Sequence, residues 1–290
     1  MTVTEAVIQA VIQGISEFLP ISSSGHLSIA QHFLGINGES ALTFSIILHM
    51  GTLLAVFIAF RKKIWQLILE FFSMVKDIFT GKFKWKTMNP DRRMIILIII
   101  SILPLFLFYI FKDYFAYAAT DDDIIVEGIA FLYTSAILFL SDRFQTCKKE
   151  SGDVTVRDAL FIGFMQGVAL TPGVSRSGST IAGGLFSGLK REAAVEYSFI
   201  LGIPVIMAGA LSDFLDSSGA GESIELLPII IGFIVSAVVG LAAIYLLKLI
   251  MKSNKFRIFA FYTLVLGILV IALGIYENVS GTLVSGLIGA

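Results

Sequence analysis

QGISEFLPISSSG at residues 13–25 returns as QGVALTPGVSRSG at residues 166–178, at a constant offset of 153. The same offset pairs Glu5-Ala6 with Asp158-Ala159, and Phe44-Ser45-Ile46-Ile47-Leu48 with Tyr197-Ser198-Phe199-Ile200-Leu201. The chain therefore carries an internal duplication. The repeated stretch gathers Ser, Gly, Pro, Glu, His and Arg inside a chain that is 56% hydrophobic and 15% charged. Polar residues concentrated at one duplicated place are where function is to be sought.

Such a composition, with apolar runs long enough to cross a hydrocarbon core of about 30 Å, defines an all-α polytopic integral membrane protein. Full spans are expected at 41–60, 94–112, 124–141, 193–213, 226–248 and 257–276. The net charge of −1 gives no reason to expect a nucleic-acid partner and leaves bilayer lipids as the surroundings. One cysteine, Cys147, excludes an internal disulfide framework. No basic region and small-residue cleavage site open the chain, so Met1 is read as the start of the mature sequence.

The remaining apolar pieces, 3–19 with 26–35 and 158–170 with 178–189, are short and broken by Pro-Ser-Gly stretches. Each pair reads as a re-entrant helix hairpin. The expected architecture is one membrane domain over residues 1–290 made of two repeats. Residues 1–141 hold hairpin 3–35 and three spans, and residues 154–276 hold hairpin 158–189 and three more.

Loop charge orients this layout. Loop 61–93 carries Arg61, Lys62, Lys63, Lys76, Lys82, Lys84, Lys86, Arg92 and Arg93, and loop 142–157 carries Arg143, Lys148, Lys149 and Arg157. Lys190 with Arg191, and Lys248, Lys252, Lys255 and Arg257, fall on the same, cytoplasmic side. Asp121-Asp122-Asp123, and Asp213, Asp216, Glu222 and Glu225, fall opposite. Three spans separate the hairpins, so they enter from opposite faces and the repeats are inverted, a design in which broken helix ends meet near the midplane. Segment 64–79, with Trp65, Leu69, Phe72 and Phe79 among charges, reads either as an amphipathic helix on the inner interface or as a solvated loop.

Helices opening at Ser22-Ser23-Ser24-Gly25 and at Ser177-Gly178-Ser179-Thr180 would each aim backbone N–H groups and a positive dipole end into a cavity. Gly25 and Gly178 permit close approach and the hydroxyls add donors. Serines and glycines also cap helices and let them pack, but Arg176 and the duplication turn the reading toward an anion site, with phosphate as the natural ligand. Glu17 lies four residues after Gln13, on the same helix face. Beside a phosphate site its charge would be matched by a divalent cation held by Glu17, the Gln13 carbonyl and the substrate's phosphates; the other reading is a salt bridge to Arg176. Position 170, equivalent to 17, is Leu, so the halves are chemically unequal. His26, just after the serines, is a candidate proton acceptor for Ser23 or a water. His49, deep in span 41–60, serves either the site or a neighbouring helix. Glu5, Asp158, Glu127 and His32 are assigned to helix termini and the interface.

The pattern Gln13-Gly14-x-x-Glu17-Phe18-Leu19-Pro20-x-Ser22-Ser23-Ser24-Gly25-His26, with Pro172-Gly173-x-Ser175-Arg176-Ser177-x-x-Thr180, resembles the two signature motifs of undecaprenyl-diphosphate phosphatases of the bacitracin-resistance type. The resemblance extends over the whole chain in length and hydropathy. It implies hydrolysis of undecaprenyl diphosphate to undecaprenyl phosphate and inorganic phosphate, renewing the lipid carrier for wall polymers. It also implies Glu17, Ser23, His26 and Arg176 as the catalytic set, and Gln13, Ser22, Ser24, Gly25, Gly173, Ser175, Ser177, Gly178 and Thr180 as substrate-binding. Mg²⁺ or Ca²⁺ on Glu17 and Gln13 would be the cofactor. Many members have Glu where this chain has Gln13, which bears on the metal ligation. The nucleophile is either Ser23, with His26 as base, or a metal-bound water. The prenyl tail would be lined by residues such as Phe18 and Leu19. The expected location is the bacterial inner membrane, with the site opening outward; a homo-oligomer stays open. Paired hairpins are also a transporter design, so a carrier or flippase of an anionic prenyl-phosphate lipid is the rival reading.

Overall fold

The computed structural model describes residues 1–36, 39–84, 88–111, 124–216, 225–253 and 256–280. Asp121, Asp122, Asp123, Glu222, Lys86 and Lys255 of the loop-charge pattern lie outside the described residues, as do the side chains of Asp213 and Asp216. Among the described residues the chain is all-helical. Its helices are α1 (Val3–Phe18), α2 (Ser23–Leu34), α3 (Glu39–Ala59), α4 (Arg61–Phe79), α5 (Pro90–Tyr109) and α6 (Ile125–Phe144). After a short 3-10 turn follow α7 (Val156–Val168), α8 (Arg176–Phe186), α9 (Arg191–Asp216), α10 (Leu226–Lys252) and α11 (Arg257–Ser280).

Among the described residues six segments are long and apolar enough to cross a bilayer: Ala41–Ala59, Pro90–Tyr109, Ile125–Phe144, Arg191–Ser212, Leu226–Lys252 and Arg257–Ser280. They coincide with the expected spans to within a few residues. The other four core helices, α1, α2, α7 and α8, have 16, 12, 13 and 11 residues. At 1.5 Å per residue the longest reaches about 24 Å.

The duplication is visible in how these short helices start and stop. Thr2 and Thr155 each form a capping box, with Glu5 and Asp158 respectively returning a bond to the cap's own N–H. Ser22 caps α2 through Gly25 N–H at 3.2 Å, and Ser175 caps α8 through Gly178 N–H at 3.0 Å. Just past these helices Gly35 and Gly188 turn the chain at φ of 65° and 87°, where a side chain would be strained. Every pair is offset by 153.

Packing is reciprocal. Helix α1 lies against α10, α7 lies against α5, and α6 against α11. At Gly14 an added Cβ would stand 2.8 Å from Val239 Cβ, so glycine sets how closely α1 approaches α10. Ser101 Oγ donates to Ala159 O at 2.9 Å and fastens α5 to α7. Phe18, Phe60 and Phe199 meet edge to face in the shared core, with Phe18–Phe199 centroids 5.3 Å apart. Phe18 and Leu19 are thus buried in that core and do not form a path for a lipid tail.

Segment 64–79 falls within helix α4. It docks through Ile64, Leu67 and Met74 and leaves Trp65, Leu69, Phe72 and Phe79 exposed. Arg92 ties its far end down, holding Glu70 at 2.6 Å and Asp77 at 2.9 Å.

Candidate functional site

Glu17 stands on the last turn of α1, with 5% of its side chain exposed. Both oxygens of its carboxylate accept hydrogen bonds. Oε1 accepts from Arg176 Nη2 at 2.5 Å, and Oε2 accepts from Ser23 Oγ at 2.7 Å and Gln13 Nε2 at 3.1 Å. A charge at this depth is tolerated because an opposite charge and neutral donors match its lone pairs.

Arg176 is the first residue of α8, so the tip of the second hairpin carries the cation to the carboxylate of the first. Ser177 Oγ donates to Leu19 O at 3.3 Å and joins the tips a second time. The guanidinium fits because α9 has Gly202 opposite it, where an added Cβ would stand 3.0 Å from Arg176 Cζ. Behind it, Thr180 Oγ1 donates to Arg176 O at 2.9 Å and meets Ser198 Oγ at 2.6 Å.

Glu17, Ser23, Arg176 and Ser177 line a cavity of about 200 Å³. Glu17, Ser23, Ser24, Ser175, Arg176, Ser177 and His49 form its polar wall, and Ile46, Val205, Ile206, Gly209 and Ala210 are among its apolar residues. The first turns of α2 and α8 both border it, with N–H groups that lack intrahelical acceptors. Such a pair of helix starts with one guanidinium is suited to phosphoryl oxygens.

Of the residues expected at the site, Glu17, Ser23, Ser24, Ser175, Arg176 and Ser177 come together on the cavity wall. The others stand behind it. Gln13 supports Glu17 and is fully buried, Ser22 and Thr180 serve backbone bonds, and Gly25 and Gly178 donate to the caps. Gly173 makes the turn before α8 at φ of 79°.

His26 is not brought to Ser23. Its Nδ1 lies 2.7 Å from Ser22 O and its Nε2 2.7 Å from Tyr262 OH, with the rings stacked at 5.6 Å. A carbonyl can only accept, so Nδ1 carries the proton and Nε2 accepts from the tyrosine. The acceptor Ser23 does have is Glu17. The imidazole that borders the cavity is His49: Nδ1 donates to Ser45 O at 2.8 Å and Nε2 faces Glu17 Oε2 at 3.8 Å. Gly202 escaped the sequence reading, although it sits 153 residues after His49. Tyr262 gave no local signal at all. Glu127 accepts from Ser28 Oγ at 2.8 Å and His32 meets Glu277 at 3.2 Å, ties that hold α2 to α6 and α11.

Among the described residues no group of three or more His, Cys, Asp or Glu could hold a metal ion. Gln13 Oε1, however, is buried without a hydrogen-bond partner beside Glu17. One carboxylate and one amide oxygen suit a hard cation that arrives with phosphate oxygens of its own, rather than a resident ion in a protein cage.

All-helical architecture and six candidate spans among the described residues, with an internal polar cavity, define a multi-pass integral membrane protein. The chain belongs to the family of bacitracin resistance protein BacA, whose family model matches residues 6–269. It is 37% identical over 276 residues to an undecaprenyl-diphosphatase of Alkaliphilus metalliredigens strain QYMF, covering 93% of this chain and 98% of that one. It is 39% identical over 279 residues to an undecaprenyl-diphosphatase of Methanosphaera stadtmanae, covering 95% and 99%. A third, from Halothermothrix orenii, is 38% identical over 275 residues, covering 94% and 98%.

Proposed function

We propose that this chain is an undecaprenyl-diphosphatase, cleaving undecaprenyl diphosphate to undecaprenyl phosphate and inorganic phosphate. Carrier lipid for wall polymers is thereby renewed, and bacitracin, which sequesters the diphosphate, is countered. Family membership and the full-length relatives named for this activity support it. The observation that carries the assignment of residues is the Glu17 carboxylate, which takes Arg176 on one oxygen and Ser23 on the other at the wall of one cavity.

In the mechanism these residues support, Arg176 and the first-turn amides of α2 and α8 hold the terminal phosphoryl group. Its negative oxygens replace Glu17 as the partner of the guanidinium, and the fixed positive field lowers the barrier. Ser23 Oγ attacks the terminal phosphorus while its proton passes to Glu17. The bond to the bridging oxygen breaks, and undecaprenyl phosphate leaves. Water then attacks the phosphoserine, releases inorganic phosphate and restores Ser23 and Glu17. Mg²⁺ or Ca²⁺, held by Glu17 and Gln13 Oε1, would offset charge on the diphosphate oxygens when bound.

The same proposal takes the two repeats as inverted and their hairpins as re-entrant, with boundaries 1–141 and 154–276. The short hairpin helices, the reciprocal packing and the contact of the two tips support this. Loop charge, with Lys190 and Arg191 on the inner side, supports a first hairpin and a site that open toward the outer face.

Phosphate release from undecaprenyl diphosphate by the purified protein in detergent, with Mg²⁺ or with EDTA, tests the proposal. Release that Ser23→Ala removes, with phosphoserine trapped on Ser23 of the active protein by acid quench, is expected. A folded wild type that releases no phosphate sinks the activity. Release unaffected by Ser23→Ala sinks the serine route.

A further inference from the structure

A second cavity, of about 190 Å³, lies where α3, α9 and α10 converge, on the side that loop charge assigns to the cytoplasm. It shares no lining residue with the cavity beside Glu17. Buried Phe60, Val195 and Met251 give it an apolar surface. The rest of its lining is charged, in two rows. Glu192 and Glu196 stand one turn apart on α9, and Lys248 and Lys252 one turn apart on α10. None of the four takes part in an ion pair among the described residues.

The neighbouring cavity shows the contrast. It shares Glu192 and Met251, and its cations are matched: Lys190 is bonded to Glu150, and Arg191 to Asp142 at 2.6 Å. Lys248 Nζ instead stands 4.0 Å from the centroid of the Phe60 ring and 5.9 Å from that of Tyr245. A ring offsets only part of an ammonium's charge, and like charges one turn apart repel. Each row is therefore stabilised by an opposite charge placed against it, and the cavity keeps the two rows from supplying that to each other.

A group that carries both charges meets the demand, with a phosphate toward the lysines and a primary ammonium toward the glutamates. A volume equivalent to about six water molecules has room for phosphoethanolamine and none for acyl chains. Glu196 and Lys248 lie within two turns of the ends of the spans Arg191–Ser212 and Leu226–Lys252, at the depth of lipid headgroups. Beside Lys248, Tyr245 and Leu249 are 51% and 66% exposed, an interfacial aromatic and an apolar surface for hydrocarbon. A primary ammonium donates to carboxylates through its N–H groups, a choline headgroup has none to donate, and a glycerol headgroup has no cation.

We propose that this cavity binds the headgroup of a phosphatidylethanolamine of the adjoining leaflet, its phosphate on Lys248 and Lys252, its ammonium on Glu192 and Glu196, and its acyl chains along Tyr245 and Leu249. The lipid bridges α9 to α10. The site stands whether or not the chain is a diphosphatase.

The test is native mass spectrometry of the purified protein titrated with phosphatidylethanolamine, phosphatidylcholine and phosphatidylglycerol of identical acyl chains. Wild type is expected to bind the ethanolamine lipid about tenfold more tightly than either other, the worth of one hydrogen bond to a charged group. Lys248→Met and Glu196→Gln are each expected to bring the three lipids within about twofold. Arg143→Gln, a change at an exposed cation of α6 that does not line the cavity, is expected to leave the preference intact. Equal affinities in wild type, or a preference that survives Lys248→Met, overturn the site. A preference for phosphatidylglycerol that Lys248→Met abolishes makes it an anionic-lipid site and overturns the role of Glu192 and Glu196.

A second readout needs no variant. Phosphatidylethanolamine bearing a diazirine near the head of one acyl chain is photolysed on the wild-type protein in detergent. Labelling of residues 245–252, displaced by unlabelled phosphatidylethanolamine and not by phosphatidylcholine, is expected. Labelling that both lipids displace equally, or displaceable labelling found only elsewhere, overturns the site.

Discussion

Ser22 and Ser175 make the same three contacts at the starts of α2 and α8: the hydroxyl takes the N–H three residues on, the carbonyl takes the N–H four residues on, and the hydroxyl meets the serine two residues on. What differs is the cargo. The next residue is Ser23 in the first hairpin and Arg176 in the second; position 17 is Glu where 170 is Leu; position 49 is His where 202 is Gly. Two similar helix starts face one cavity, one with a hydroxyl and its acceptor Glu17, the other with a cation and the space at Gly202 to hold it. A symmetric pair could bind an anion. In the proposed mechanism the unequal pair also attacks one.

The sharpest break of this comparison is to exchange the charges. Glu17→Ala and Arg176→Ala are each expected to lower kcat by about a thousandfold, because each removes a group facing the phosphoryl oxygens or Ser23 and strands its buried partner. The combined exchange, Glu17→Arg with Arg176→Glu, restores the ion pair but moves the acceptor away from Ser23. Phosphate release by the exchange variant should stay as low as in the single variants. Recovery would mean that the pair only clamps the tips together.

Making the second half resemble the first should cost less. Gly202→Ala pushes a methyl to about 3.0 Å from Arg176 Cζ and must shift the guanidinium. A guanidinium displacement of about 1 Å lowers kcat about a hundredfold. The fold should be kept, since α9 gains helix propensity. Unchanged kcat with a displaced Arg176 would show that its position does not matter. Going the other way, His49→Gly removes the ring facing Glu17 Oε2 and leaves Arg176 and Ser23 in place. A fall of about tenfold in kcat with KM nearly unchanged is expected for a group that orients Glu17; a change confined to KM would assign His49 to binding instead.

The parts of this arrangement that sequence makes legible are those that local chemistry fixes. Spans follow from run length, and the four short helices from Pro-Ser-Gly breaks within short runs. Glu17, Ser23 and Arg176 stand out because charge and hydroxyl are costly there. His26 misleads because its place three residues after Ser23 on α2 suggests a shared face, whereas Tyr262, 236 positions away, captures its ring. Phe18 and Leu19 mislead similarly, since an apolar side chain beside a polar motif can face lipid or core alike and only the packing of Phe199 decides it. Gly202 was legible in principle. Aligning the repeats through His49 shows a glycine where its partner has an imidazole, and Arg176 supplies the reason.

The smallest expected effect separates the helix starts farther from the site. Thr2 and Thr155 close equivalent capping boxes, so Thr2→Ala and Thr155→Ala should each cost about 1 kcal/mol, read as a shift of about 2–4 °C in thermal unfolding in detergent. The two are not held alike. Asp158 also receives Lys149 Nζ at 2.7 Å, which fastens the start of α7 to the preceding loop, whereas Glu5 closes the first box on the Thr2 N–H at 2.8 Å. Loss of the Thr155 hydroxyl therefore disturbs a helix start that the Lys149–Asp158 bond still restrains, and loss of the Thr2 hydroxyl leaves only the Glu5 bond at that turn. Thr155→Ala should give the smaller shift in unfolding temperature, because Lys149 still holds the start of α7. Equal shifts would mean that the Lys149–Asp158 bond adds nothing at that turn, making the two helix starts mechanically alike where their chemistry is not.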